Sequence, residues 1–404
     1  MELTTDHTLS YNALREEGTV FDGCSRFPTI FDRIETLEET KRMKKILALS
    51  LALVLALSLA ACGGKDSSQP SGGDAQPSGG SDSQQGADSL PGEGMRIALV
   101  CDKIGVNPFL TEMVRALDET AAEYGFTQVV VECADNAAYE DNIRALVAEG
   151  CDLIIGGGWA AGDPLDKVSR EFPEACSYAL IDSEIDNELV KCISYREQEG
   201  AFLIGKLAAY TVDGESHVYG GVHCNEGPGS WKYRYGYMEG VKSIDPEATF
   251  VFNYTNSYSD PAKAKELAIQ QFEQGCKFIN GAAAAGDSGV YEAAMEKGFY
   301  TSGQDVDETS ADNPYIVSSQ LKDTYQTVKN LVDEFFGGSW TPDNTAWGVS
   351  EGTIGAVNVT HDSPNPRSDR LTDEEIADIQ AVVEQMKSGA LDMTDVPAEE
   401  DYSF

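Results

Sequence analysis

From Arg96 onward, short apolar runs alternate with longer helix-patterned stretches, and few folds other than parallel βαβ units accept that order. The runs Arg96 to Cys101, Gln128 to Cys133, Cys151 to Ile155, Cys176 to Ile181 and Lys191 to Tyr195 read as strands. Helices are expected between them, over Phe109 to Tyr124, Tyr139 to Glu149 and Asp163 to Glu171. A second series follows, with strands at His217 to Gly220, Phe250 to Tyr254, Lys277 to Gly281 and Tyr300 to Gly303. Its helices are expected over Ser230 to Lys242, Pro261 to Gln274 and Val290 to Lys297. At Asp260-Pro261 the Asp side chain can accept from the first free amides, and Pro gives up an amide that had no partner anyway.

Two similar α/β lobes result, each a doubly wound parallel sheet. Tyr315 to Ser319 and the amphipathic Thr324 to Phe336 have no place in the second lobe's count, so the chain is expected to cross back. Trp347 to Ser350 and Gly355 to Val359 read as late strands, and Leu371 to Met386 as a surface helix opened by the capping signal at Thr372-Asp373-Glu374-Glu375. The expected division is 95–195 with 319–345 for one lobe, 196–318 with 346–365 for the other, and 366–404 as a C-terminal helix and tail.

Ahead of the lobes, Lys44-Lys45 leads an apolar run from Ile46 to Leu59 that ends in Leu59-Ala60-Ala61-Cys62. A charged start, a short apolar stretch and small residues at a cut mark a secretory signal, and the run is too short to span a bilayer. Met43 reads as the start, so 43–61 is the signal and 1–42 an upstream extension with no expected fold. From Cys62 to Gly94 the chain is mostly Gly, Ser, Gln, Asp and Pro, which cannot offset its own ordering entropy.

Acidic residues number 68 against 29 basic, a formal charge of −39. Nucleic acid is excluded as a partner, because phosphate contacts need Lys and Arg. Of nine cysteines, Cys24 and Cys62 precede the lobes. The rest show no CxxC and sit in apolar runs, as buried free thiols would.

Several blocks in order carry a resemblance: Ile181-Asp182; Glu199-Gly200-Ala201-Phe202-Leu203 with Ala208-Ala209; Pro228 through Gly236; Ser259-Asp260-Pro261-Ala262-Lys263; Gly286-Asp287-Ser288-Gly289-Val290; and Gly303-Gln304-Asp305-Val306-Asp307. The chain resembles the basic-membrane-protein type of ABC-transporter substrate-binding lipoproteins, a group that includes purine-nucleoside receptors. The resemblance implies a type I periplasmic-binding-protein fold, two lobes joined by a hinge with ligand closed between them. It further implies a lipid on Cys62, placement on the outer face of the cell membrane through that anchor alone, an ABC permease as partner, a monomer, and neither catalysis nor a cofactor.

In open parallel sheets ligand sits beyond the carboxyl ends of the strands. The loops there carry Asp102, Asn107 and Phe109, then Gly156-Gly157-Gly158-Trp159, then Asp182 in the first lobe. The second lobe offers Tyr233, Gly286 to Gly289, Asp305 and Asp307, and Lys322 follows the crossing strand. By resemblance, Phe109 and Tyr233 match aromatics that stack on a base, Asn107 a base or ribose contact, Asp305 a ribose acceptor, and Lys322 a polar contact. Asp182 either braces its loop or touches ligand, Asp307 is structural, and Trp159 is either cleft wall or core. The first loop, Asn107-Pro108-Phe109-Leu110, is shorter than the family's and lacks its second acid.

Three motifs tempt and fail. Gly286-Asp287-Ser288-Gly289 imitates a serine-protease segment, yet no histidine stands in a matching context. Gly156-Gly157-Gly158-Trp159 imitates a dinucleotide loop, but at the wrong strand and without the following acid. His223-Cys224 is too sparse for a metal site.

Overall fold

The computed structural model describes residues 89–402 apart from Val106. The signal, Cys62 and the linker as far as residue 88 lie outside the described residues. The last part of the expected linker is fixed: Gly92 donates to the carbonyl of Tyr124 at 2.8 Å and is itself buried.

The first lobe is built from β1 (Arg96–Cys101), α1 (Pro108–Tyr124), β2 (Thr127–Glu132), α2 (Asn136–Ala148), β3 (Leu153–Gly157), α3 (Gly162–Glu171), β4 (Ser177–Ile181) and β5 (Val190–Tyr195). The second has α4 (Glu197–Thr211), β6 (Val218–His223), α5 (Pro228–Lys242), β7 (Thr249–Tyr254), α6 (Pro261–Glu273), β8 (Phe278–Ala282), α7 (Asp287–Lys297), β9 (Tyr300–Asp305) and β10 (Ile316–Lys322). Then come α8 (Thr324–Gly337), β11 (Asn344–Trp347), β12 (Ile354–Ala356) and α9 (Asp373–Ser388).

Both sheets have six strands, in orders β11-β5-β4-β3-β1-β2 and β12-β10-β9-β8-β6-β7. All pairings are parallel except β10 with β12. Strands β3, β5 and β10 are buried on both faces; β3 accordingly reads as a continuous apolar run, whereas β5 carries Lys191 and Ser194 and β10 carries Ser318, Ser319, Gln320 and Lys322. Each sheet reverses its winding beside its first strand, between β1 and β3 and between β6 and β8, and the loops at those points face the cleft.

The chain passes between lobes three times: after β5, after β10, and between β11 and β12. The passages are bonded to one another, Arg196 donating to the carbonyl of Trp347 at 2.8 Å and Asp323 to that of Thr353 at 2.7 Å. The expected divisions shift here. Strand β10 keeps its place in the second sheet through Lys322, so the return begins at Asp323 and not at 319. Ala346 and Trp347 pair with β5 in the first sheet. The strand expected at Trp347 to Ser350 is Asn344–Trp347, because Gly348 to Thr353 form the turn of the third passage.

Helix α4 was not marked by any periodicity, since every residue but Tyr210 is buried and a helix covered on all sides shows no polar stripe. It packs on α5 backbone to backbone. A Cβ at Gly205 would collide with the carbonyl of Tyr237, one at Gly236 with that of Gln198, and one at Gly240 with that of Phe202. Helix α9 closes the outside of α4, where Asp378 accepts from Lys206 and Tyr210, each at 2.8 Å. The seven described cysteines are free, and all but Cys176 are buried. Burial pushes the thiols of Cys101 and Cys276 up to about 12, which keeps them unreactive. Among the described residues no helix is long and apolar enough to cross a membrane.

Candidate functional site

Lys322 ends β10 with its side chain nine-tenths buried, and the groups around it come from both lobes. Its ammonium lies 2.9 Å from Asp182 Oδ1, beyond β4, and 3.3 Å from Glu197 Oε1, at the start of α4. Three rings surround it: Tyr195 with its centroid at 5.1 Å, and Phe109 and Tyr233 each at 5.9 Å. Burial disfavours the ammonium, but Asp182, Tyr233, Glu197 and Asp305 outweigh it and hold Lys322 well above its ordinary value. Burial raises the Asp182 carboxyl, Lys322 opposing.

Asp182, just past β4, and Asp305, the last residue of β9, occupy equivalent places, and both take left-handed backbone, φ 65° and 68°. That conformation costs about 1 kcal/mol for a residue with a side chain, least for Asp and Asn, and recurs where function holds the chain. Gln304 donates to Asp305 Oδ1 at 3.0 Å and to Tyr233 Oη at 3.2 Å, so one amide ties the acid to the ring. A cavity of about 220 Å³ opens here, between Glu112 and Arg115 of α1 and Asp305, Leu321 and Lys322 of the second lobe.

Phe109, Asp182, Tyr233, Asp305 and Lys322 thus converge. Asn107 is exposed, and its Oδ1 caps α1 by accepting from the Phe109 amide at 3.1 Å, which sets the ring's position. The Phe109 ring edge lies over Gly158, beside Trp159. Trp159 is 67% exposed and so is not a core residue. Gly286 is buried and its amide is spent on the carbonyl of Ala283 at 3.0 Å. Asp102 is held by Tyr139 at 3.0 Å, and Asp307 accepts from Thr309 and Ser363, as a loop brace does.

Sequence reasoning missed Tyr195, Glu197 and Lys232. Lys232 donates to the carbonyl of Tyr195 at 3.0 Å and to Glu197 Oε2 at 3.3 Å. The signal was the acid-aromatic pair flanking the first passage, Tyr195-Arg196-Glu197, which a strand-by-strand reading ends one residue too early.

Asp287 is also buried, at the start of α7. Its Oδ1 accepts from the Ala283 amide at 2.8 Å while Oδ2 has no partner. Burial pushes this carboxyl well above the ordinary carboxylate value, the Ala283 amide opposing and Asp305 and Glu308 reinforcing. A raised acid costs nothing while both states are protonated. It costs progressively as pH climbs past 3.8, because the unfolded chain ionises first. Asp287→Asn is therefore expected to stabilise the fold near neutral pH by about 1–3 kcal/mol. The gain should shrink toward zero as pH falls, read by urea unfolding at both ends. A gain equal at both would contradict the assignment.

Among the described residues no group of three or more His, Cys, Asp or Glu could hold a metal ion. A single buried cation ringed by acids and aromatics from two lobes is a binding arrangement.

Comparison with known proteins agrees. Residues 97–392 match a family described as ABC transporter substrate-binding protein PnrA-like, Bmp. The chain is 27% identical over 290 residues to basic membrane protein A1 of Borrelia garinii subsp. bavariensis, covering 68% of this chain and 83% of that protein. It is 25% identical over 264 residues to the CD4+ T-cell-stimulating antigen of Listeria innocua, covering 63% and 68%. Among solved structures, an ABC transporter system solute-binding protein from Aeropyrum pernix K1 superposes with a TM-score of 0.64 at 21% identity, covering 76% of this chain and 95% of that one.

Proposed function

This chain belongs to the PnrA-like family of ABC transporter substrate-binding proteins, and we propose that the solute it captures is a nucleoside or a close relative of one. The chain binds a small solute for an ABC transporter and is not an enzyme.

One observation carries the nucleoside reading: Phe109 from the first lobe and Tyr233 from the second stand equidistant from the Lys322 ammonium. A flat base can lie between two such rings, each worth about 1–3 kcal/mol by stacking. Asp305 and Asp182 accept from ribose hydroxyls, Lys322 donates, and Trp159 walls the first lobe. Asn107 acts through its cap on α1. Buried acids facing such donors are stable, whereas facing apolar ligand they would be costly. Ligand that touches both lobes binds the closed arrangement better, so capture is a shift of population toward it.

A thermal-shift panel of nucleosides, free bases and sugars tests this. Stabilisation by nucleosides is expected, and a clear sugar response with none from nucleosides would overturn it.

The chain is further read as tethered at the cell membrane by a diacylated Cys62, since two acyl chains give stable anchoring. Cys62→Ser is expected to abolish incorporation of labelled palmitate, and retained label would contradict the anchor.

A further inference from the structure

The chain continues past the family-matched residues, which end at 392, and the continuation grips the outer side of the helix that carries Tyr233. Gln198 of α4 donates to the carbonyl of Met393 at 2.7 Å, and the Trp231 indole to that of Pro397 at 2.6 Å. Glu399 receives both arms of Arg234, each at 2.6 Å. The Tyr402 ring meets Trp231 and Tyr235 edge-on, at 5.4 and 5.5 Å between centroids. Its hydroxyl bonds Glu239, and Lys242 donates to it at 3.3 Å.

These partners sit at positions 231, 234, 235, 239 and 242 of α5, one face at helical spacing. The cleft face of the same turn carries Lys232 and Tyr233. Arg234 is buried, and its guanidinium also lies over Trp231, at 5.1 Å, and over Phe252, at 5.7 Å. A bidentate, partly desolvated arginine pair fixes direction as well as distance.

We propose that residues 393–402 form a clamp that sets the rotation of α5, and so aims Tyr233 and Lys232 into the cleft. The segment itself does not line the cleft, yet solute affinity depends on it through α5; this part rests on the nucleoside reading. On its other faces α5 is held by the glycine seam with α4 and by Tyr237 packed among Phe250, Phe252 and Phe278, while the polar contacts on its outer side come from the clamp.

The test uses the full-length chain labelled with fluorotyrosine, the Tyr233 signal being assigned by its loss in Tyr233→Phe. Ending the chain after Asp392, or substituting Glu399→Gln, is expected to shift or broaden the ligand-free Tyr233 signal. The signals of Tyr139 and Tyr178 in the first lobe should stay in place. Inosine affinity, by calorimetry, should fall about tenfold in both variants, or about 1.4 kcal/mol. An unmoved Tyr233 signal in a folded variant overturns the clamp, as does a moved signal with unchanged inosine affinity. If the parent chain binds neither inosine nor any other nucleoside of the panel, the nucleoside reading fails, and the Tyr233 signal alone decides the clamp. Glu399→Gln keeps the question answerable should the shortened chain not fold.

Discussion

Lys322→Met is expected to lower stability by about 3 kcal/mol and to weaken solute binding by at least about a hundredfold. The ammonium answers two carboxylates at once, Asp182 at 2.9 Å and Glu197 at 3.3 Å. Removing it leaves both facing a pocket that also holds Asp305. Breaking a buried ion pair by deleting one partner costs about 3–5 kcal/mol. The Asp182 side chain keeps 28% of its surface exposed, so screening places the loss at the low end. The sign with pH follows from the same groups. Without its cation Asp182 takes up a proton more readily, so the variant should regain stability as pH falls through the carboxylate range. Adding Asp182→Asn should restore most of the stability and none of the binding. Recovery of both would mean that Lys322 only neutralises charge and does not meet solute.

Gly240→Ala is expected to destabilise by about 3 kcal/mol, at the upper end for overpacking, because the obstacle is a carbonyl oxygen and cannot rotate away. Helix propensity argues the other way, since Ala is favoured over Gly by about 1 kcal/mol inside a helix. Any loss is therefore packing alone. The control lies on the same helix: a Cβ at Gly229 would meet nothing within 4 Å, so Gly229→Ala should be neutral or slightly stabilising. Denaturant midpoints of the pair measure the difference. Equal midpoints would mean that α4 and α5 can separate without penalty, and that the second lobe is not built on their contact.

What the sequence made legible follows from how each element is buried. Strands β1 to β9 announced themselves as short runs between helices with polar outer stripes; the inner ones are covered on both faces, while β2 and β7 at the sheet edges are partly buried and still β-branched or aromatic. Helix α4 was silent for the opposite reason, being covered all round and losing the stripe that marks a helix. The passages between lobes were placed a few residues off. Nothing apolar ends at Ser319, and strand β10 stops at Lys322 only because its antiparallel partner β12 reaches that far.

The convergence of Phe109, Asp182, Tyr233, Asp305 and Lys322 was legible from strand ends, since parallel sheets put those loops on one side. Glu197 and Tyr195 were not, because they belong to the first passage, whose nearness to Lys322 is set by how the three passages bond to one another. The grip of residues 393–402 on α5 was equally hidden. A short acidic tail after a surface helix gives no sign of where it returns until Glu399 is seen taking both arms of the buried Arg234.

The central claim is that solute sits between the Phe109 and Tyr233 rings with Lys322 and the acids at its edge. Native mass spectrometry of the protein purified from its own cells tests it most directly. The account predicts a bound adduct with the mass of a nucleoside, lost in Tyr233→Ala and in Asp305→Ala. An adduct of another chemical class, or a nucleoside retained in both variants, would contradict it.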